Sequence, residues 1–307
     1  MNRLAIVTAT IDLPRALTCI TSWLGRATRG IDLYTVRQTV RQADWERTPW
    51  FSGNDVHGDH RIYLYDSREI LGVVPAFNIG VAQALKDGHQ IIACFHDDLE
   101  IEEEAWDDPV VNLFKACPRA GLLGFGGAKG LADDDIYRTP YRPMQLVRKQ
   151  FLSNMRHAEA HGARCEVACP VACLDGFSQI GLANYWRCIA HPLHRSTDAS
   201  DKPAMGLNLF TSLELAGIVH HAYDAALGAF AKQLGYQVWF LPIKVHHHGG
   251  LTAVADPRYL NWAIDNAAID VQDDGYTQTL RGDAAFWHKS HRAVYEMFRG
   301  VLPIRVS

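Results

Sequence analysis

The stretch Gln90-Ile91-Ile92-Ala93-Cys94-Phe95-His96-Asp97-Asp98-Leu99-Glu100 decides how the chain is read. From Gln90 to Phe95 it is a short apolar run with two β-branched isoleucines, the pattern of a strand covered on both faces. It then ends abruptly in His96, Asp97, Asp98 and Glu100. In parallel sheets ligands bind in the crevice outside the carboxyl ends of the strands. Carboxylates at that place can hold a hard divalent cation whose remaining positions are filled by water and phosphate oxygens. Alternation along an extended strand puts Asp98 and Glu100 on one face and Asp97 on the other. The competing reading is a strand-to-helix loop in which Asp98 to Glu104 favour the next helix N-terminus, and these residues alone leave both open.

Upstream, β runs are expected at Leu4 to Thr10, Ile31 to Val36 and Arg61 to Tyr65, with helices over Pro14 to Leu24 and from Pro75 to near Gly88. Downstream, a helix from about Glu102 to Cys117 and an apolar strand from Ala120 to Phe125 continue the alternation. Strands alternating with helices imply an α/β fold with a mainly parallel central sheet flanked by helices. The glycine-rich run Gly124 to Gly130 lacks the GxxxxGK[ST] spacing of a phosphate loop, and from Gly126 the chain is expected to become less regular. Later elements are expected at a helix opening near His221 and a strand from Val238 to Val245. With no internal repeat or low-complexity linker, one continuous domain is expected over residues 1–255, followed by a helical C-terminal extension over 256–307.

Composition narrows the class. Of 307 residues, 48% are hydrophobic and 21% charged, which excludes a disordered, collagenous or coiled-coil chain. The formal charge of −4 excludes a molecule built throughout as a polycation for nucleic acid or an anionic membrane. One stretch is locally basic: Arg138, Arg142, Arg148, Lys149, Arg156 and Arg164 follow the acids Asp133, Asp134 and Asp135. No apolar run reaches the roughly 18 to 20 residues of a membrane span, and the opening MNRLAIVTAT lacks the pattern of a signal peptide. A cytoplasmic location is therefore expected. Seven cysteines, an odd number spread over a long chain, fit a reducing compartment. Cys165, Cys169 and Cys173 lack the CxxC pairs of a zinc site and read as structural thiols.

Two further clusters can do chemistry. His246, His247 and His248, followed by Gly249 and Gly250, offer imidazole donors at a strand end, and alternation separates His247 from the other two. Asp224 opens a helix beside an apolar stripe of Tyr223, Leu227, Phe230 and Leu234, on a face continued by Gly228 and Ala231. An acid there is also favoured by the helix dipole alone.

In this order the motifs resemble those of family 2 glycosyltransferases of the GT-A fold, over roughly Leu4 to Thr252. The opening strand, Pro75 to Gly80, His96-Asp97-Asp98, Asp175-Gly176-Phe177, His221 to Asp224 and His247-His248-Gly249-Gly250 match successive family elements. The first position of the DxD-type motif is His96, a form of the motif found in one branch of the family. The acid that often ends the family's second strand is missing after Ile31 to Arg37.

The resemblance implies a nucleotide-sugar half over about residues 1–130 and an acceptor half over about 131–255. It implies a UDP- or other NDP-sugar donor bound by Thr8, Thr10, Arg37, Asn78, Gly80, Asp97 and Gly176. A Mn²⁺ or Mg²⁺ ion would be held by Asp98 with His247 or its neighbours His246 and His248. It also implies inverting transfer to an acceptor hydroxyl, with Asp224 as the base and Asp175 the second choice. A glycan or polysaccharide is the expected acceptor. A phosphate-rich acceptor, such as a lipid diphosphate or a modified base in DNA, is the alternative that the Arg138 to Arg164 stretch, together with Arg281, Trp287, Lys289, Arg292 and Arg299, leaves open. A zinc-dependent hydrolase or a non-catalytic sugar-binding module are the rivals from other classes, and a location at the inner face of a membrane is compatible with the reading.

Overall fold

The computed structural model describes residues 3–11, 13–38, 56–57, 59–132, 148–156, 162–190, 209–220, 222–248, 262 and 290–306. Several residues singled out above lie outside them: Asp133, Asp134, Asp135, Arg138, Arg142, His221, Gly249, Gly250, Arg281, Trp287 and Lys289.

The first half follows the alternation read from the sequence. Strand β1 (Leu4–Thr10) leads to helix α1 (Leu13–Gly25), then come β2 (Ile31–Arg37), a short β3 (Val56–His57) and β4 (His60–Asp66). Helix α2 (Val73–Lys86) precedes β5 (Ile91–His96) and the three-residue β6 (Leu99–Ile101), after which come α3 (Asp107–Ala116) and β7 (Ala120–Gly124). Strands β4, β2, β1 and β5 are neighbours, all parallel. Apolar side chains cover both faces, so these strands read as nearly continuous hydrophobic runs. On one face Ala5, Val7 and Cys94 pack with Val74, Phe77 and Val81 of α2, and on the other Ile6, Ala93 and Phe95 pack with Cys19, Ile20 and Trp23 of α1.

The second half departs from expectation. The run from Gly126 is a regular strand, β8 (Gly126–Leu131), in a second sheet with β9 (Arg148–Ser153), β10 (Ala163–Arg164), β12 (Cys173–Leu174) and β16 (Ile304–Arg305). Glycine is a poor strand former on propensity, but close approach demands it here. A Cβ on Gly126 would lie 2.8 Å from Phe177 and one on Gly127 would lie 2.9 Å from the Cys173 carbonyl. The long strand expected from Val238 to Val245 is two strands, β14 (Gln237–Phe240) and β15 (Val245–His247). Between them Pro242, which has no N–H for a ladder, lets the chain leave one sheet and pair with β6.

The central sheet, in the order β11-β14-β7-β13-β5-β1-β2-β4-β3, includes β11 (Cys169–Val171) and β13 (Ser178–Leu182). It is mixed rather than mainly parallel, because β13 runs antiparallel between β5 and β7 and both edge strands are antiparallel to their neighbours. Short helices α4 (Ala183–Trp186) and α5 (Leu209–Leu215) and helix α6 (Tyr223–Gln233) cover the α2 face. The C-terminal region is helical over 290–297 and then returns as β16 beside β8. No helix among the described residues is long and apolar enough to cross a membrane.

Candidate active site

The site is built where β5 ends. The strand stops at His96, a turn carries Asp97 and Asp98, and the chain resumes as β6. That turn is held from behind. Trp23 donates its indole N–H to the Leu99 carbonyl at 2.6 Å, Trp106 donates to the Trp23 carbonyl at 2.9 Å, and the Ile101 N–H reaches Ser22 Oγ at 3.0 Å. Strand β15 then pairs antiparallel with β6, setting His247 opposite Leu99 and His246 opposite Glu100. The His248 N–H also donates to the Asp98 carbonyl at 3.0 Å. Two segments about 150 residues apart in sequence are thereby locked together.

The result is a three-donor cluster of His96, Asp98 and His247, whose ligand atoms all lie within 4.8 Å of one another. His247 Nε2 is 3.2 Å and His96 Nδ1 is 4.0 Å from Asp98 Oδ1. Neighbouring donors around a small divalent cation with bonds of about 2.1 Å sit about 3 Å apart, so His247 and Asp98 already stand at that spacing while His96 lies somewhat farther off, in a group that could hold such an ion. Two imidazoles and one carboxylate are a donor set suited to a first-row divalent metal. Burial lowers the His96 pKa against the raising influence of Asp98, keeping the ring neutral. For His247 burial also pulls downward, but the hydrogen bond and charge of Asp98 outweigh it and the net shift is upward. The His247 ring lies over Phe177, centroids 4.7 Å apart.

His246 and His248 do not join this cluster. Their rings contact each other with centroids 4.2 Å apart, and His248 Nε2 faces Glu100 at 3.5 Å. Asp98 and Glu100 therefore serve different groups, because the strand breaks at the Asp97-Asp98 turn instead of running through it.

Asp175 and Asp224 meet at one side chain, Arg148. The small face of α6 makes this possible, since a Cβ on Gly228 would lie 2.8 Å from the Ala172 carbonyl. The helix therefore sits directly on β12 and points its first turn toward β5. Arg148, which begins β9, joins the two acids: it forms an ion pair with Asp224 through Nη2 and lies 3.4 Å from Asp175 through Nη1. Asp224 also accepts the Ala225 N–H at 2.7 Å. Burial would raise the Asp224 pKa, but Arg148 and the Ala225 N–H more than reverse this and hold it below the ordinary carboxylate value. The Tyr223 hydroxyl reaches both His96 Nε2 and the Gly176 carbonyl, and Tyr223 and Gly176 adjoin Asp224 and Asp175 in sequence, so the acids and the three-donor cluster form one site.

The residues expected at the nucleotide are spread more widely. Thr10 and Arg37 are register neighbours at the ends of β1 and β2. Arg37 makes a two-pronged ion pair with Asp66 at 2.5 and 2.6 Å. Thr8 is wholly buried in the sheet beside Thr35. Asn78 is half-buried on α2, and Gly80 is where α2 crosses β1, a Cβ there falling 2.2 Å from Val7 Cγ1. Asp97 is buried in the turn. Gly176 offers its carbonyl to the Tyr223 hydroxyl. Sequence reasoning did not assign site roles to His96, Arg148 and Tyr223. Only the motif position of His96 signalled it, while nothing local marks Arg148 among its basic neighbours or separates Tyr223 from the apolar stripe.

The sequence matches no protein-family model and no curated protein. Solved structures do resemble it. One is the mannosyltransferase PcManGT from Pyrobaculum calidifontis in complex with GDP-Man and Mn²⁺, at 12% identity and a TM-score of 0.45, covering 97% of this chain and 75% of that one. Another is GalNAc-T7 with UDP, GalNAc and Mn²⁺, at 10% identity and a TM-score of 0.48, where 98% of this chain spans 57% of the other. Both likenesses are distant.

Proposed function

We propose that the protein is a nucleotide-sugar-dependent glycosyltransferase that transfers a sugar to an acceptor hydroxyl with inversion. The observation that carries this reading is the 3.2 Å approach of His247 to Asp98, in a site that Tyr223 joins to Asp175 and Asp224. The order of sequence motifs supports it independently.

His96, Asp98 and His247 would hold Mn²⁺ or Mg²⁺. When bound, such an ion neutralises the charge that builds on the nucleoside diphosphate as it leaves. The ends of β1 and β2, with Thr10, Arg37 and Asp66, lie on the nucleotide side. Asp224, kept ionised by Arg148, takes the proton of the acceptor hydroxyl as it attacks in line. Asp175, a third of its side chain exposed, orients sugar or acceptor hydroxyls and is the second choice for the base. A glycan is the favoured acceptor. Arg148 pairs with site acids and Arg156 with Glu102, so these two cations of the basic stretch are already engaged within the protein rather than offered to a polyanion.

Thermal melts across a panel of nucleotide sugars, with and without Mn²⁺, test the reading. A matching donor at a hundred times its Kd adds about 2.7 kcal/mol, and this gain should require the metal and vanish in Asp98→Asn. Absence of a shift with every donor would overturn the proposal, and zinc-dependent release of sugar without an acceptor would replace it with the hydrolase.

A further inference from the structure

We propose that Tyr223 is a positioning residue that fixes His96 as a metal donor through Nδ1. The inference rests on the metal-holding role given above to the three-donor cluster and adds the device that orients it. The Tyr223 hydroxyl lies 2.7 Å from the Gly176 carbonyl and 2.7 Å from His96 Nε2. A phenol has one proton and a carbonyl has none to give. The Tyr223 proton therefore goes to Gly176, and the phenol oxygen is left as an acceptor. Its donor is the Nε2–H of His96. A neutral imidazole protonated at Nε2 carries its lone pair on Nδ1, the atom that faces Asp98 Oδ1 at 4.0 Å and completes the cluster with His247.

Three features make this relay specific. Gly176 is required for it, because a Cβ there would lie 2.8 Å from the Tyr223 oxygen, so the Asp-Gly turn that presents Asp175 also brings its carbonyl into reach. Phe77 holds both rings in place, 6.0 Å from Tyr223 edge-on and 6.3 Å from His96 between centroids. The Tyr223 side chain is buried, so water has little access to compete for either of its hydrogen bonds. Ring nitrogens remote from a metal are commonly held by such partners, and removing them typically weakens metal binding about 10- to 100-fold. With His96 enlisted, the site offers two imidazoles and one carboxylate, which favours Mn²⁺ over Mg²⁺.

Long-range proton–nitrogen NMR on the metal-free protein reads which nitrogen of His96 bears the proton. The expected result is a single Nε2–H form in the wild type, and mixed forms in Tyr223→Phe. Mn²⁺ titration followed by electron paramagnetic resonance should show binding weakened about 10- to 100-fold in Tyr223→Phe, whereas adding Tyr223→Phe to His96→Ala should cost no more than His96→Ala alone. An Nδ1–H form in the wild type, or wild-type Mn²⁺ affinity in a folded Tyr223→Phe, would overturn the inference. The wild-type spectrum decides the matter even where the variant does not fold. No sugar nucleotide enters either measurement. Failure of donor binding with His96 correctly protonated therefore counts against the transferase alone, and the reverse result counts against Tyr223 alone.

Discussion

Replacing Arg148 with methionine isolates the interaction that joins Asp175 and Asp224. Asp224 is 9% exposed at its side chain and Arg148 26%. Removing one partner of a buried ion pair costs about 3–5 kcal/mol, because the remaining charge is left uncompensated. The partial exposure of Arg148 places this case at the lower end, about 3 kcal/mol. With an unfolding entropy of about 2.1 cal/mol/K per residue over 307 residues, that lowers Tm by about 5 °C. The loss depends on pH in a defined direction. In the wild type the Asp224 pKa lies below its ordinary 3.8, so the stability it contributes is present above that value and fades as pH falls through the depressed one. In Arg148→Met, burial is opposed by the Ala225 N–H and the charge of His291 but no longer by Arg148, the largest of the lowering influences, so the carboxyl moves upward and acid relieves the penalty. Calorimetry should show the two proteins furthest apart near pH 7, drawing together as acid protonates the raised carboxyl of the variant and converging only as pH falls below 3.8 through the depressed wild-type value. Adding Asp224→Asn to Arg148→Met should recover most of the lost stability. Equal Tm at pH 7, or a double variant less stable than Arg148→Met alone, would refute the reasoning.

Two further expectations follow from packing and burial. Gly80→Ala gains about 1 kcal/mol of helix propensity but drives a methyl to 2.2 Å from Val7 Cγ1. Overpacking of about 1–3 kcal/mol should win, so the urea midpoint should fall and recover when Val7→Ala is added; a midpoint above the wild type would show that α2 does not press on β1 here. All seven cysteines are free, with Cys188 exposed and Cys19, Cys94 and Cys173 buried. Burial raises the thiol pKa of Cys94, and that of Cys173 to about 12 although Arg148 opposes it. An aromatic disulfide reagent should modify Cys188 first and these three only on unfolding, and prompt reaction of all seven in the native protein would contradict the burial pattern.

Local pattern determined much of this protein. The apolar runs at β1, β2, β4 and β5 and the helices between them were legible because burial on both faces leaves a continuous hydrophobic signature in sequence. The abrupt acids after Phe95 marked the strand end, and alternation correctly separated His247 from His246 and His248. Tertiary structure decided the rest. Glycine-rich β8 is a strand because β9, β12 and β16 pair with it, its glycines admitting the close approach of Phe177 and Cys173, and the antiparallel insertion of β13 leaves no mark on its own residues. His96, Arg148, Asp175, Tyr223 and His247 lie far apart in the chain, and the contacts among them depend on β15 leaving β14 at Pro242 to pair with β6 and on α6 settling onto β12. Periodicity reports which side of an element is buried, whereas a constellation of charges depends on which elements become neighbours, and that is set by packing across the whole molecule.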